Sequence, residues 1–257
     1  MEKETKDLIK QAQTAPAIIG ASSGIEGMEE TDSDDIRIPR VKLLQGSSEE
    51  TKNPDIYPDL RVGMLINSLS HAELISEKIG DKKHYPFIPV KMFKSWMKFN
   101  PYTPEQEGFD SQYEPGQMIF KTYDKSDPIT KSQDSWRWKQ INFLGFQPKN
   151  PLQPIFVTFG SMSRPIGNEI INIVQLAARP LFEHLFLLGS KTESRNGNTF
   201  MVFTARSEGR PDEALCEIGR KMYNEFNPLL ADLKKMKVEL HDEDVITEAP
   251  ESVEFDD

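Results

Sequence analysis

Alternation with a period of two dominates the middle of the chain. Ile36–Leu44 alternates basic and apolar residues, with Pro39 suited to an edge or the start of a strand. Val62–Leu69 and Glu73–Ile79 read as further extended pieces, the second closed by the turn signal Gly80-Asp81. Tyr85–Phe99 is the most strand-like long segment. Pro86 and Pro89 argue against a helix at its start. Its later part separates by parity, with Phe93, Met97 and Phe99 on one face and Lys94, Trp96 and Lys98 on the other. Gln117–Tyr123 is predicted as a strand. Trp136–Phe146 places Trp136, Trp138, Gln140 and Asn142 on one parity and Arg137, Lys139, Ile141 and Phe143 on the other. Pro154–Ser161 has the β-branched and aromatic content of a buried strand.

The period then changes. Apolar residues at 170, 173, 174 and 177 form a helical stripe stopped by Pro180. Leu181–Lys191 and Thr199–Arg206 flank Asn196-Gly197, a strong hairpin signal. From Pro211 a second stripe runs through Leu215, Ile218, Met222 and Phe226, and Pro228 is expected to break or kink it. Asn100–Gly116, with three prolines, and Ser126–Ser135 read as long loops, a form that is usually functional or mobile. No internal repeat is visible. Many short strands with two helices predict a mainly-β α+β fold, an OB-fold-like small barrel with a helix between strands and another at the C-terminus.

Charge divides the chain more sharply than hydropathy. The formal net charge is −10, but residues 1–36 carry −6, residues 239–257 carry −9, and the body between them carries +5. The leader and tail are too polar and too charged to bury a core, so both are expected to be disordered. The tail ends in Val253-Glu254-Phe255-Asp256-Asp257, one aromatic among carboxylates. Such a segment can dock on a basic, apolar-lined groove. The organisation read from this is a leader (1–36), a nucleic-acid-binding body (37–238) and a tail (239–257). One cysteine, Cys216, excludes an intramolecular disulfide and a Cys-based zinc cluster. No apolar run approaches a membrane span, and the start lacks a signal-peptide core, so a cytoplasmic protein without membrane attachment is expected.

Enzyme motifs fail in detail. Gly20-Ala21-Ser22-Ser23-Gly24-Ile25 resembles a dinucleotide loop, but Glu26 stands where the last glycine is needed and puts a carboxylate at the phosphate position. His71, His84, His184 and His241 lack ligand spacing. Gly160-Ser161-Met162-Ser163 is not a nucleophile elbow. Asp124/Asp127 and Glu105/Glu107 could serve a metal-dependent nuclease, but they read better as solvated loop acids. The expectation is a protein without catalysis, cofactor or metal.

Aromatic and basic residues interleave in two places. Lys91, Lys94, Trp96 and Lys98 fall in one segment, and Trp136, Arg137, Trp138 and Lys139 in another; together they hold all three tryptophans. Bases of single-stranded nucleic acid stack on aromatic faces while Lys and Arg follow the phosphates. Trp96, set between two lysines, is expected to face solvent. Tyr102 and Tyr113 are weaker stacking candidates.

With its acidic, Phe-bearing end, the chain resembles phage-encoded single-stranded-DNA-binding proteins of the T7 type. The resemblance rests on Ile38–Gln45, on Phe87-Ile88-Pro89-Val90 leading to Lys94 and Trp96, and on Asn142-Phe143-Leu144 with the Phe156–Ser163 stretch. It implies an OB fold that binds single-stranded DNA in replication or recombination. It also implies a tail that competes for its own groove, or a dimer mate's, and recruits the replicative polymerase and helicase. Glu254, Phe255, Asp256 and Asp257 would be the docking element, although Phe255 is not terminal as the resemblance requires. Two other readings stay open: an interaction protein whose acidic flanks imitate nucleic acid to inhibit host defence, and a nuclease.

Overall fold

A computed structural model describes residues 38–131, 137–195 and 197–233. The leader, the tail and Trp136 lie outside these residues. Strand β1 (Val41–Leu43) pairs antiparallel with β2 (Leu65–Asn67), and a one-turn helix, α1 (Glu49–Lys52), lies between them. The sheet strands follow as β3 (Glu77–Ile79), β4 (Lys82–Phe99), β5 (Met118–Thr122), β6 (Arg137–Gln147) and β7 (Asn150–Phe159). Helix α2 (Arg164–Ala177), the hairpin β8 (Leu185–Arg195) and β9 (Asn198–Gly209), and helix α3 (Glu213–Leu233) complete the described chain.

The fold is mainly β with a helix between strands and one after them, as the pattern predicts. The strand order is β7-β6-β4-β8-β9, with β3 and β5 also pairing β4. Among the described residues no ring of strands closes, so the expected barrel is an open sheet. The reason lies in how its faces are covered. A barrel buries one face by curling on itself, whereas here a helix covers each face. On one face Ile141, Phe143, Val157 and Phe159 pack with Ile166, Ile170 and Val174 of α2. On the other, Ile88, Val90, Leu144 and Phe146 pack with Ile218, Met222 and Phe226 of α3.

Strand β4 organises the molecule. Its start pairs with β3 and β8, its middle and end with β6, and its last residues with β5. A bulge between Pro89 and Lys91 shifts the register by one residue. Even-numbered Ile88 and odd-numbered Phe93 therefore face α3 together. The bulge also accommodates a proline that a regular central strand would reject. Gly145 lies opposite it, where a Cβ would come within 2.2 Å of the Ile88 carbonyl oxygen, so only glycine fits. Gly167 plays the matching part in α2: a Cβ there would sit 3.1 Å from Phe159 Cβ and 3.2 Å from Ile141, which sets how closely the helix approaches the sheet.

The Asn100–Gly116 loop is ordered by one buried side chain. Asn100 is fully buried; its Nδ2 donates to the carbonyls of Asp110 and Tyr113 at 2.9 and 2.8 Å, and its Oδ1 accepts the Asp110 N–H at 2.9 Å. The β1–β2 arm is held by another. Glu50, 2 % exposed, accepts from Lys42 Nζ at 3.0 Å and contacts His71 Nδ1 at 2.9 Å. Burial alone would raise its carboxyl pKa, but hydrogen bonds from its own backbone, Lys42 and His71 hold it below the ordinary value.

The turn and capping chemistry follows the sequence. Arg195 and Asn198 close the β8–β9 hairpin, with Gly197 at φ +81. Helix α2 starts six residues before the apolar stripe, with a proline in its first turn, and ends at Ala178 in a left-handed conformation. Pro228 lies inside α3 without ending it.

Candidate nucleic-acid interface

Cross-strand partners share a face of a sheet, so the β4–β6 register assigns the basic and aromatic residues directly. Lys94 stands opposite Ile141, Trp96 opposite Lys139, and Lys98 opposite Arg137. Lys94, Trp96, Lys98 and Lys139 therefore belong to the α2 face. Lys91, Phe93, Ser95, Met97 and Trp138 belong to the α3 face. The sheet splits each Trp/Lys segment by parity: Lys94, Trp96, Lys98 and Lys139 share one face, and Lys91 and Trp138 the other.

Trp96 corrects the expectation of exposure. The residue is 6 % exposed, although lysines flank it in the sequence. The flanking lysines Lys94 and Lys98 are half-buried while the tryptophan between them is buried. The α2 face thus offers cations around a covered tryptophan, an arrangement for phosphate rather than for base stacking. Trp138 is half-buried, its ring 4.9 Å from that of Phe99 in a small cluster with Met97 and Met118. Arg137 is placed here by its backbone register alone, and Trp136 with the tail residues Glu254, Phe255, Asp256 and Asp257 lies outside the described residues. Tyr102 packs against Gly116, and Tyr113 is exposed.

The α3 face carries a better-formed constellation. Half-buried Phe93 has Tyr123 on one side, ring centroids 5.8 Å apart, and Phe156 on the other at 5.7 Å. Lys121 Nζ lies 5.2 Å from the Tyr123 ring centre. Lys91 Nζ lies 5.0 Å over half-buried Tyr223 of α3 and donates to Asn227 Oδ1 at 2.7 Å. These cation–π contacts place Lys121 against one end of a run of three half-buried rings and Lys91 against Tyr223, which packs in the same apolar cluster. Next to them runs a polar row: Thr158 Oγ1 donates to Asn142 Oδ1 at 2.9 Å, Asn142 Nδ2 to Ser95 Oγ at 3.0 Å, and Ser95 Oγ to Gln140 Oε1 at 3.3 Å. It fixes the strands beneath the platform.

Of the predicted residues, only Lys91 belongs to this platform. Phe93, Lys121, Tyr123, Phe156 and Tyr223 were missed. The signal that could have found Phe93 is its shared parity with Lys91, which the tryptophans drew attention away from. Tyr123, Phe156 and Tyr223 come from three other elements and meet only through the fold.

Other titratable groups serve the fold. Tyr85 donates to Glu73 at 2.8 Å, and burial together with that carboxylate pushes its phenol above the ordinary range. Burial raises the Cys216 thiol pKa. Asp124 and Asp127 hydrogen-bond to backbone and side-chain groups of their own loop. Among the described residues no three His, Cys, Asp or Glu side chains converge as metal ligands, and no helix is long and apolar enough to cross a membrane.

One family model matches the sequence, described as Pam3 phage gp34-like protein, over residues 8–229. No curated protein and no solved structure matches.

Proposed function

The chain belongs to the Pam3 phage gp34-like protein family, and from that premise we propose that it binds single-stranded DNA without sequence preference during phage replication or recombination. The observation that carries this reading is the run Tyr123–Phe93–Phe156 with half-buried Lys91 nearby and the buried Lys121 beneath Tyr123. Every base has a π-face and every nucleotide a phosphate, so partly open rings next to amines accept any sequence. Lys94, Lys98 and Lys139 on the opposite face supply a second, purely electrostatic surface. The protein acts in the host cytoplasm without catalysis. Its acidic tail, through Phe255 and the flanking Glu254, Asp256 and Asp257, contacts replication proteins such as the polymerase and helicase.

The test is a salt titration of fluorescent oligo-dT binding to the wild type, Phe93→Leu with Tyr123→Leu, and Lys94→Gln with Lys98→Gln. The leucine pair keeps apolar volume and removes the π-faces. It should weaken binding about tenfold or more, since stacking is worth ~1–3 kcal/mol per base. The glutamine pair should lower the salt dependence and cost less affinity. No measurable binding by the wild type in ~50 mM salt, where backbone contacts are strongest, would reject the proposal. Tight binding to a basic host protein in that case would favour the nucleic-acid mimic instead.

A further inference from the structure

The N-terminal leader reaches the fold at the aromatic platform. Ile38, the first described residue, packs in the same apolar cluster as Phe93, Phe156 and Tyr223. The next residue, Pro39, accepts a hydrogen bond at its carbonyl from the Phe156 N–H at 2.9 Å, and Arg40 forms a parallel bridge with Phe156. The leader therefore starts from the edge of the platform, whatever path it takes upstream.

Its composition complements what it meets there. From residue 11 to residue 36 it has six carboxylates (Glu26, Glu29, Glu30, Asp32, Asp34 and Asp35) and no Lys or Arg. Ile18, Ile19, Ile25 and Met28 provide apolar side chains within the same stretch. The platform offers half-buried rings and the amine of half-buried Lys91, while Lys121 is itself buried. The twelve steps from Glu26 to Ile38 span up to about 40 Å when extended, and the three from Asp35 about 10 Å, so the acids sample a range of distances from the anchor. The family match also holds most of the leader and none of the acidic tail after residue 238.

We propose that the leader, residues 11–36, lies across the Lys91–Phe93–Tyr123–Phe156 platform when no nucleic acid is bound. The inference rests on that face being the ligand face. Its carboxylates take the positions of phosphates at Lys91, and its isoleucines cover the rings. Single-stranded DNA then binds by displacing a segment that is already tethered beside the site.

The experiment labels the full chain with a nitroxide at Ser22→Cys, sixteen residues upstream of the anchor, and reads amide broadening by NMR. Cys216 is buried, and replacing it with Ala supplies a control against stray labelling. In low salt the amides of Phe93, Tyr123 and Phe156 should lose at least half their intensity. Changing the six leader acids to Asn and Gln should restore it without touching the folded body. Equal broadening in the acidic and neutralised leaders, or broadening elsewhere alone, would overturn the proposal. Oligo-dT titration of the same two proteins separates the ideas: the neutralised leader should bind about tenfold more tightly. Charge-dependent broadening with no DNA affinity in either protein keeps the docked leader and rejects the single-stranded-DNA reading.

Discussion

Replacing Trp96 with Ala should cost about 3–5 kcal/mol of stability, the range for deleting a large core side chain, because the residue is 6 % exposed. A urea melt measures it. Loss of DNA binding in that variant would then report unfolding rather than a missing contact. His184 makes a different prediction. It is buried, its ring stacks on Phe186, and its Nε2 has no hydrogen-bond partner. Burial first, then the Arg179 charge, holds its pKa below the ordinary 6.5. The unfolded state therefore takes up a proton that the folded state refuses, and stability is lost as pH falls through about 6.5 toward the folded value. Chemical denaturation at pH 7.5 and 5.5 should show this loss, and His184→Phe should reduce it. A wild type equally stable at both pH values would contradict the assignment. The sequence could not separate Trp96 from a solvent-facing ring, because parity places a residue on a face without showing what covers that face.

At the scale of elements, strands, hairpin and both helices were legible because each has a local cause: parity, Asn-Gly at a tight turn, or an apolar stripe. What depended on register was not. The bulge at Pro89–Lys91 decides which face Phe93 takes, and it arises from the opposing Gly145, more than fifty residues away. The 100–116 loop likewise reads as functional or mobile in sequence and is pinned in the structure by Asn100. Asn100→Ala removes four side-chain bonds and leaves part-buried backbone groups of Asp110, Tyr113 and Glu114 unmatched. It should cost about 2–4 kcal/mol, since each unsatisfied buried group costs ~1–3 kcal/mol. Hydrogen exchange of the 101–116 amides should quicken well before the rest of the sheet. Unchanged exchange there would mean that the loop is held by something else. Gly167→Val tests the helix–sheet distance in the same way, and overpacking at Phe159 and Ile141 should destabilise by about 1–3 kcal/mol.

At the scale of the whole molecule, net charge is the wrong descriptor. A chain at −10 would repel DNA if its charges were mixed, but a body at +5 between flanks at −6 and −9 has a local field set by position. The two flanks are anchored differently. The leader joins beside Phe156, and the tail follows α3, whose Asn227 holds Lys91. Removing residues 239–257 should tighten oligo-dT binding at low salt, with the gain fading as salt shortens the Debye length from about 10 Å at 0.1 M to about 3 Å at 1 M. It should also abolish capture of purified replicative polymerase, an effect that Phe255→Ala alone should largely reproduce. If the truncated chain binds DNA no more tightly, the tail does not reach the sheet, and the leader alone governs access to the platform. Tighter binding in both the tail-deleted and leader-neutralised chains, roughly additive in free energy, would mean that the flanks act as independent screens. A double variant no tighter than either single one would mean that they occupy the same lysines in turn.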